Sequence, residues 1–141
     1  MDEKTLAYYE KNVAYLEKTL AMDMQFHRDR FMMLLPSKAK ILDLGCGSGR
    51  DLRKFKEAGF QAVGLERTRD FVEFARQYAS CEVEFGDALS MPFENRSFDA
   101  VWACAVFVHF TKHEFLNALE EIKRVSKNGA EIGRASCRER V

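Results

Sequence analysis

The chain has 141 residues, of which 47% are hydrophobic and 31% are charged, and this composition fits one globular domain. Lys+Arg and Asp+Glu are both 22, so the sequence lacks the basic excess that favours nucleic-acid binding, and we expect no nucleic-acid partner, although a neutral charge does not exclude one. The N-terminus is polar, and the longest apolar run (residues 100–108) is less than half a membrane span, so we expect no membrane partner. The four cysteines include no CxxC pair, so we expect no metal site. Together these features predict a cytoplasmic protein.

Residues 1–36 predict a helical cap made of two helices. The apolar positions of the first helix recur at spacings of three and four and form one stripe: Leu6, Tyr9, Val13, Leu16 and Leu20. Two heptads are too few for a coiled coil, so we expect this stripe to dock on the core of the same chain. The second helix is predicted to begin at an Asp23 cap, to carry Phe26, Arg30 and Met33 on one face, and to end before Pro36.

Residues 37–130 alternate between strand and helix patterns. Short β-type runs occupy four segments: 40–44, 61–65, 81–85 and 98–107. Helical patterns follow the first, second and fourth, and the last of them opens with a capping box at residues 111–114. Strands about twenty residues apart with helices between them predict right-handed βαβ units. The expected fold is therefore α/β, with a doubly wound, Rossmann-like parallel sheet.

The last segment, EIGRASCRERV at residues 131–141, has neither the period of a strand nor that of a helix. The string resembles one translated frame of a short-read sequencing adapter, so we interpret it as a non-native tail on a truncated chain, with an ordinary charged tail as the alternative. This interpretation predicts no regular fifth strand and marginal stability. It also predicts that the edge along residues 98–107 is either unpaired or covered irregularly by the tail or by a neighbouring molecule.

The stretch ILDLGCGSGR, residues 41–50, predicts a ligand-binding turn. Glycines let a backbone turn sharply and approach a ligand closely, and this turn follows the first strand. A dinucleotide loop would need a third glycine at position 50, where Arg50 stands. Asp43 would also repel a pyrophosphate, by about 1 kcal/mol in water and about 4 at an effective dielectric of 20 for charges about 4 Å apart. The loop therefore favours a ligand that is cationic near the aspartate.

Two further acids end the next two predicted strands. Glu66 stands where a carboxylate can bind ribose hydroxyls, and Asp87 stands where an acceptor could take an exocyclic amine. Because the carboxyl ends of parallel strands share one edge of a sheet, the three acids should lie along one rim. A ribose, an adenine amine and an ammonium in a row describe S-adenosylmethionine.

The same residues carry a resemblance to a known family. DLGCGSG at residues 43–49 resembles the first motif of class I S-adenosylmethionine-dependent methyltransferases, and Glu66 matches the acid after their second strand. The family's third and fourth motifs resemble residues 86–93 together with residues 97–101. The helix end and turn before the family's fifth strand resemble residues 122–129. The resemblance covers residues 37–130 and implies a seven-stranded sheet of which this chain supplies the first four strands. AYYE at residues 7–10 is similar to the small-molecule branch of the family.

The resemblance also implies a role for each matching residue. The methionine part of the cofactor would be held by Asp43 and the backbone of Gly45, Cys46 and Gly47. The ribose and adenine would contact Glu66, Arg67, Asp87 and the amide of Ala88. The cofactor ammonium would donate to the backbone carbonyls of Ala103 and Cys104.

The reaction itself leaves more than one interpretation open. His109, after the fourth strand, is the candidate catalytic base, with a packing histidine as the alternative. The expected acceptor is a small molecule, since no Asn-Pro-Pro-Tyr-type tetrapeptide follows the fourth strand. The rival functions are an NAD-dependent oxidoreductase and a non-catalytic nucleoside-binding module or truncated remnant. The sequence does not indicate the oligomeric state.

Overall fold

A computed structural model describes residues 3–4, 20, 23–104 and 106–135. Within them the chain forms a five-stranded sheet with four α-helices and one 3-10 helix. The strands are β1 (Lys40–Leu44), β2 (Gln61–Glu66), β3 (Glu82–Phe85), β4 (Phe98–Cys104) and β5 (Ser126–Ala135). The helices are α1 (Gln25–Met33), α2 (Arg50–Glu57), α3 (Arg69–Ala79), the 3-10 helix Val106–His109 and α4 (Lys112–Val125).

All the strands are parallel, in the order β3-β2-β1-β4-β5. The chain builds β2 and β3 on one side of β1 and then crosses to place β4 on the other side. Open α/β sheets bind ligands at such a reversal, outside the carboxyl ends of the strands. The predicted α/β fold is confirmed, and the glycine loop follows β1 directly at that reversal.

The two faces of the sheet are covered by different helices, because alternate strand residues point to opposite sides. On one face Ile41, Ala100 and Trp102 belong to a buried cluster with Phe31 of α1 and Phe55 of α2. On the other face the strand positions in between pack against α4: Leu42, Leu44, Val63, Leu65, Val101 and Ala103 with Ala118, Ile122 and Val125.

The predicted helix signals hold outside α1. The N-cap residue of α1 is Met24 rather than the predicted Asp23, although Asp23 Oδ1 accepts from the Gln25 amide at 2.9 Å. Thr111 and Glu114 form the expected capping box at the start of α4, and Gly59 follows α2 with a φ of 95°. In α1, however, the predicted face is not the one that packs, since Phe26 and Met33 are 62% and 83% exposed. The helix buries Arg28 and Phe31 instead.

The fourth strand is shorter than predicted. It ends at Cys104, and the chain then turns into the 3-10 helix rather than continuing to residue 107. Val106 packs over Gly45, where an added Cβ would lie 2.7 Å from Val106 Cγ2. The prediction of one continuous strand over residues 98–107 is therefore wrong, because the strand ends at Cys104 and Val106 packs over the glycine loop.

The prediction that no regular fifth strand forms is wrong, and of the two predicted states of the β4 edge, the unpaired one is not observed. β5 pairs in parallel with β4 from Phe98 to Cys104, with a register shift between Phe98 and Ala100. Strand pairing joins backbone groups, so a segment without side-chain periodicity can still satisfy an open edge. Gly133 helps, because a Cβ there would lie 2.5 Å from Cδ1 of Phe31. The sheet thus has five strands among the described residues, and marginal stability of the chain stays a prediction.

Some predictions fall outside what the structure tests. The stripe from Leu6 to Leu16 and the AYYE segment lie outside the described residues, and the division at residues 36 and 130 stays a prediction. In the ranges that the structure describes, we find no helix with the length and apolar character needed to cross a bilayer. Those ranges likewise contain no group of three or more His, Cys, Asp or Glu side chains arranged to hold a metal ion.

Candidate functional site

A cleft opens at the carboxyl ends of the central strands, beside the glycine loop. Eight of the eleven predicted site residues line it: Gly45, Gly47, Glu66, Arg67, Asp87, Ala88, Cys104 and His109. Its apolar lining comes from Leu44, Leu65, Phe71, Val106 and Phe110, with Gly86 beside them. A mostly apolar cleft with a few converging polar groups is the usual form of a small-molecule site.

The glycine loop is held against β2 by its own backbone. The N–H groups of Gly45 and Cys46 both donate to the carbonyl oxygen of Leu65, at 2.8 and 3.1 Å. Gly47 has a φ of 56°, a left-handed conformation that glycine adopts without steric cost, and its amide donates to Oε1 of Glu66 at 2.9 Å. All three loop amides therefore have acceptors within the protein.

Glu66 is buried at the end of β2 and links the glycine loop to α3. Its Oε1 accepts from Gly47, and its Oε2 accepts from the amide of Thr68, the N-cap residue of α3, at 2.8 Å. Burial raises the pKa of Glu66, and the amides of Thr68 and Gly47 oppose that rise. Because each carboxylate oxygen can accept about two hydrogen bonds, Glu66 retains capacity for a pair of hydroxyl donors.

Asp43 lies in β1, at the second position before the glycine loop, and is only 2% exposed. Its Oδ2 atom has no hydrogen-bond partner among the described residues. Burial raises its pKa well above the ordinary value, and the nearby charges of Asp51 and Glu66 add to this while Arg50 opposes it. A buried carboxylate oxygen without a donor is costly, so this position calls for a cationic or hydrogen-bonding ligand.

Asp87 and Arg67 both line the cleft and lie close enough together to form an ion pair. Asp87 Oδ1 accepts from the amide of Leu89 at 2.9 Å, which forms an Asx-turn, and its Oδ2 lies 3.9 Å from Nη1 of Arg67. Asp87 is therefore both a turn residue and a residue of the cleft lining.

The other three predicted site residues are not part of the cleft lining. Asp43 directly precedes Leu44, which lines the cleft, while the Cys46 thiol packs with Leu52 and Val72 and Ala103 is buried in the α4-facing cluster. Burial raises the pKa of Cys46 well above its usual value, so its thiol is inert. For Cys46 and Ala103 only backbone atoms could take part in binding.

The sequence did not predict the buried cluster of charged residues that lies next to the loop. Asp51, the second residue of α2, accepts hydrogen bonds from Arg28, Arg50 and Trp102. Burial acts to raise the pKa of Asp51, but the hydrogen bonds and charge of Arg50, with the hydrogen bonds of Trp102 and Arg28, outweigh it and hold that pKa below its usual range. The only sequence signal was an aspartate in the first turn of a helix, and this is common on exposed helices too.

His109 ends the 3-10 helix and borders the cleft with an exposed side chain. It is near enough to the cleft to meet a bound acceptor, as expected for a general base. Its catalytic role stays a prediction.

Comparisons with known proteins agree with this geometry. Residues 41–129 match the family model described as "Methyltransferase domain". The chain is 34% identical over 100 residues to the tRNA (carboxymethyluridine(34)-5-O)-methyltransferase alkbh8 of Xenopus tropicalis, covering 70% of this chain and 15% of that protein. It is 38% identical over 104 residues to the sterol 24-C-methyltransferase erg6 of Aspergillus fumigatus, covering 67% and 26%.

Among the solved structures similar to this chain is a SAM-dependent methyltransferase from Methanosarcina mazei. It has a TM-score of 0.69 and 25% identity, and the match covers 72% of this chain and 53% of that one. The chain thus spans only 15% and 26% of the two curated relatives described above.

Proposed function

The chain belongs to the class I family of S-adenosylmethionine-dependent methyltransferases, and from this membership we propose that it binds S-adenosylmethionine in the cleft beside the glycine loop and transfers its methyl group to an acceptor. The observation that carries the proposal is Asp43, whose buried Oδ2 has no protein donor within the described residues. The cofactor has an ammonium and a sulfonium at its methionine end, so it would supply the missing positive charge. NAD would bring a pyrophosphate to the same place.

The residues of the cleft fit the other parts of the cofactor. Glu66 would accept from the ribose hydroxyls while keeping its bonds to Gly47 and Thr68. Asp87, Arg67 and the Ala88 amide would contact the adenine, and the carbonyls of Ala103 and Cys104 would accept from the ammonium. These roles are proposals that rest on the family resemblance and, for all of these residues except Ala103, also on their position in the cleft lining.

The bound cofactor supplies an electrophilic methyl group on a good leaving group. The protein then needs chiefly to orient the acceptor in line and to exclude water, and orientation alone can lower a barrier by about 7–11 kcal/mol. Val106 and Phe110 form an apolar wall for this, and His109 would accept the proton of a nucleophile.

For the acceptor we propose a small molecule. The apolar cleft wall and the absence of a basic excess support this choice, and the similarity to a sterol methyltransferase agrees with it. The second candidate is tRNA, because another relative is named for methylating a tRNA uridine. That name runs against the expectation of no nucleic-acid partner. Incubation with radiolabelled S-adenosylmethionine and either total tRNA or a small-molecule extract would separate the two, since label in tRNA would overturn the small-molecule proposal.

Cofactor binding can be tested without knowing the acceptor. In calorimetric titrations we expect S-adenosylhomocysteine to bind at least about tenfold more tightly than NAD, which corresponds to about 1.4 kcal/mol. Glu66→Ala should weaken this binding by about 1–3 kcal/mol, because Gly47, Thr68 and the ribose would lose their acceptor. Equal or tighter binding of NAD would contradict the proposal and favour the oxidoreductase.

A further inference from the structure

The ion cluster around Asp51 joins three elements that are far apart in the sequence. We call Arg28, Arg50, Asp51 and Trp102 the Asp51 cluster. Arg28 comes from α1, Arg50 and Asp51 open α2, and Trp102 lies in β4. Arg28 and Asp51 are 6% and 4% exposed, so the charges are withdrawn from water and depend on each other.

The Asp51 carboxylate is saturated by these partners. Oδ1 accepts from Nη1 of Arg28 at 2.8 Å and from Nε of Arg50 at 3.1 Å. Oδ2 accepts from Nη2 of Arg50 at 2.9 Å and from Nε1 of Trp102 at 3.0 Å. Four donors fill the usual capacity of a carboxylate, so Asp51 is a fixed anchor that has no acceptor left for a ligand.

The cluster touches the proposed cofactor site through Arg50. This residue directly follows Gly49, the left-handed N-cap of α2, so its position is tied to the end of the glycine loop. Its Nη2 also donates to Sγ of Cys104 at 3.5 Å, and Cys104 lines the cleft. The charge of Arg50 also opposes the rise in the pKa of Asp43, so it acts on that carboxylate.

Arg28 belongs to the cluster but does not line the cleft. We infer that Arg28 is a positioning residue for the cofactor site: from α1 it holds Asp51, and through Asp51 it fixes Arg50 and the end of the glycine loop. The inference rests on the proposed function, because it concerns the affinity of that same cofactor site. Coupling between two sites is reciprocal, so bound cofactor should also hold α1 more firmly on the sheet.

The chain provides a built-in reporter of the cluster. Trp102 is the single tryptophan of the sequence, it is 1% exposed, and its indole N–H donates to Asp51. A change in its fluorescence therefore reports on this cluster. Titration of the wild-type chain with S-adenosylhomocysteine should shift that fluorescence, and the same titration of Arg28→Met should not.

Three variants separate positioning from simple stability. Arg28→Met should raise the Kd for S-adenosylhomocysteine by about tenfold. Arg28→Lys keeps the charge and should restore a large part of that loss. Phe31→Leu is the matched control, since Phe31 lies on the same helix and packs 5.0 Å from Trp102 between ring centroids but makes no bond to Asp51. It should lower the free energy of unfolding with little change in Kd.

Hydrogen exchange tests the coupling even if Arg28→Met does not fold. In the wild-type chain S-adenosylhomocysteine should slow exchange of the amides of α1, none of whose residues lines the cleft. Unchanged exchange in α1, or wild-type affinity in a folded Arg28→Met, would overturn the inference. A Phe31→Leu variant that lost as much affinity as Arg28→Met would overturn it too. If the wild-type chain bound no S-adenosylhomocysteine, the proposed function itself would fall, whereas the other three results leave it standing.

Discussion

Asp43 has a carboxylate that the fold leaves only partly satisfied. Its neighbours include two further acids, Asp51 and Glu66, and one cation, Arg50, while burial keeps water away. Each of these except Arg50 favours the protonated form, so the pKa of Asp43 is raised in the free protein. An ammonium placed beside it would favour the ionised form.

We therefore expect S-adenosylhomocysteine binding to release a proton from Asp43. Affinity should rise with pH between the pKa of Asp43 in the complex and its raised pKa in the free protein, because binding pulls that pKa down. Calorimetry in two buffers of different ionisation enthalpy would measure the proton released, at a pH low enough to keep the ligand ammonium charged. Asp43→Asn should bind more weakly and show no buffer dependence. A wild-type binding enthalpy that is identical in both buffers would contradict this linkage.

Residues differ in how far the sequence alone could place them. Glu66 could be predicted because a strand end after a regular alternation fixes its position at the rim. Its bonds to Gly47 and Thr68 could not, since they depend on how the loop folds back over β2. The burial of Arg28 could not be predicted, because an arginine in a polar helix is usually solvated. Only the folded structure shows that it contacts Asp51.

At the scale of the elements, β2 and the glycine loop pack closely because position 64 of β2 is a glycine. Gly64 pairs with Asp43 in the β1–β2 register. A Cβ at position 64 would lie 2.8 Å from Sγ of Cys46 and 3.2 Å from Cδ2 of Leu52. The glycine therefore lets the loop and the start of α2 approach the strand closely.

Gly64→Ala should push the loop away from β2. We expect it to lower the free energy of unfolding by about 1–3 kcal/mol, the usual cost of overpacking, and to weaken S-adenosylhomocysteine binding. Cys46→Ala removes the sulfur that the new methyl group would meet, so the double variant should recover part of both losses. Urea unfolding and calorimetry on the two single variants and the double variant would measure this. Purely additive losses would show that the loop is not what the methyl group displaces.

Local signals account for the elements that the sequence located well. The Thr111–Glu114 capping box and Gly59 act within a few residues, so α4 and the end of α2 could be predicted. The end of β4 and the pairing of β5 could not, because both depend on contacts between distant segments. Val106 leaves the strand direction to pack over Gly45, about sixty residues away in the chain, and no periodicity reveals that contact.

At the scale of the whole molecule, side chains of α1 and β4 pack together with the backbone of β5. Phe31 of α1 packs on Trp102 of β4, and Gly133 of β5 lies against both rings.

The pairing of β5 leaves the predicted adapter origin of residues 131–141 untested, since backbone bonds along an open edge require no particular side chains. Sequencing the gene past codon 130 would decide that origin.

The packing itself can be tested by a double-mutant cycle on Gly133 and Phe31. Gly133→Val should lower the free energy of unfolding by about 1–3 kcal/mol, because its Cβ would meet the Phe31 and Trp102 rings at 2.5 and 2.8 Å. Phe31→Ala should cost about 3–5 kcal/mol through the cavity it leaves. The valine can fill part of that cavity, so the double variant should lose less than the sum, by about 0.5–3 kcal/mol. If urea unfolding instead gives additive losses, Gly133 does not pack on α1, and an open edge along β4 becomes the better description.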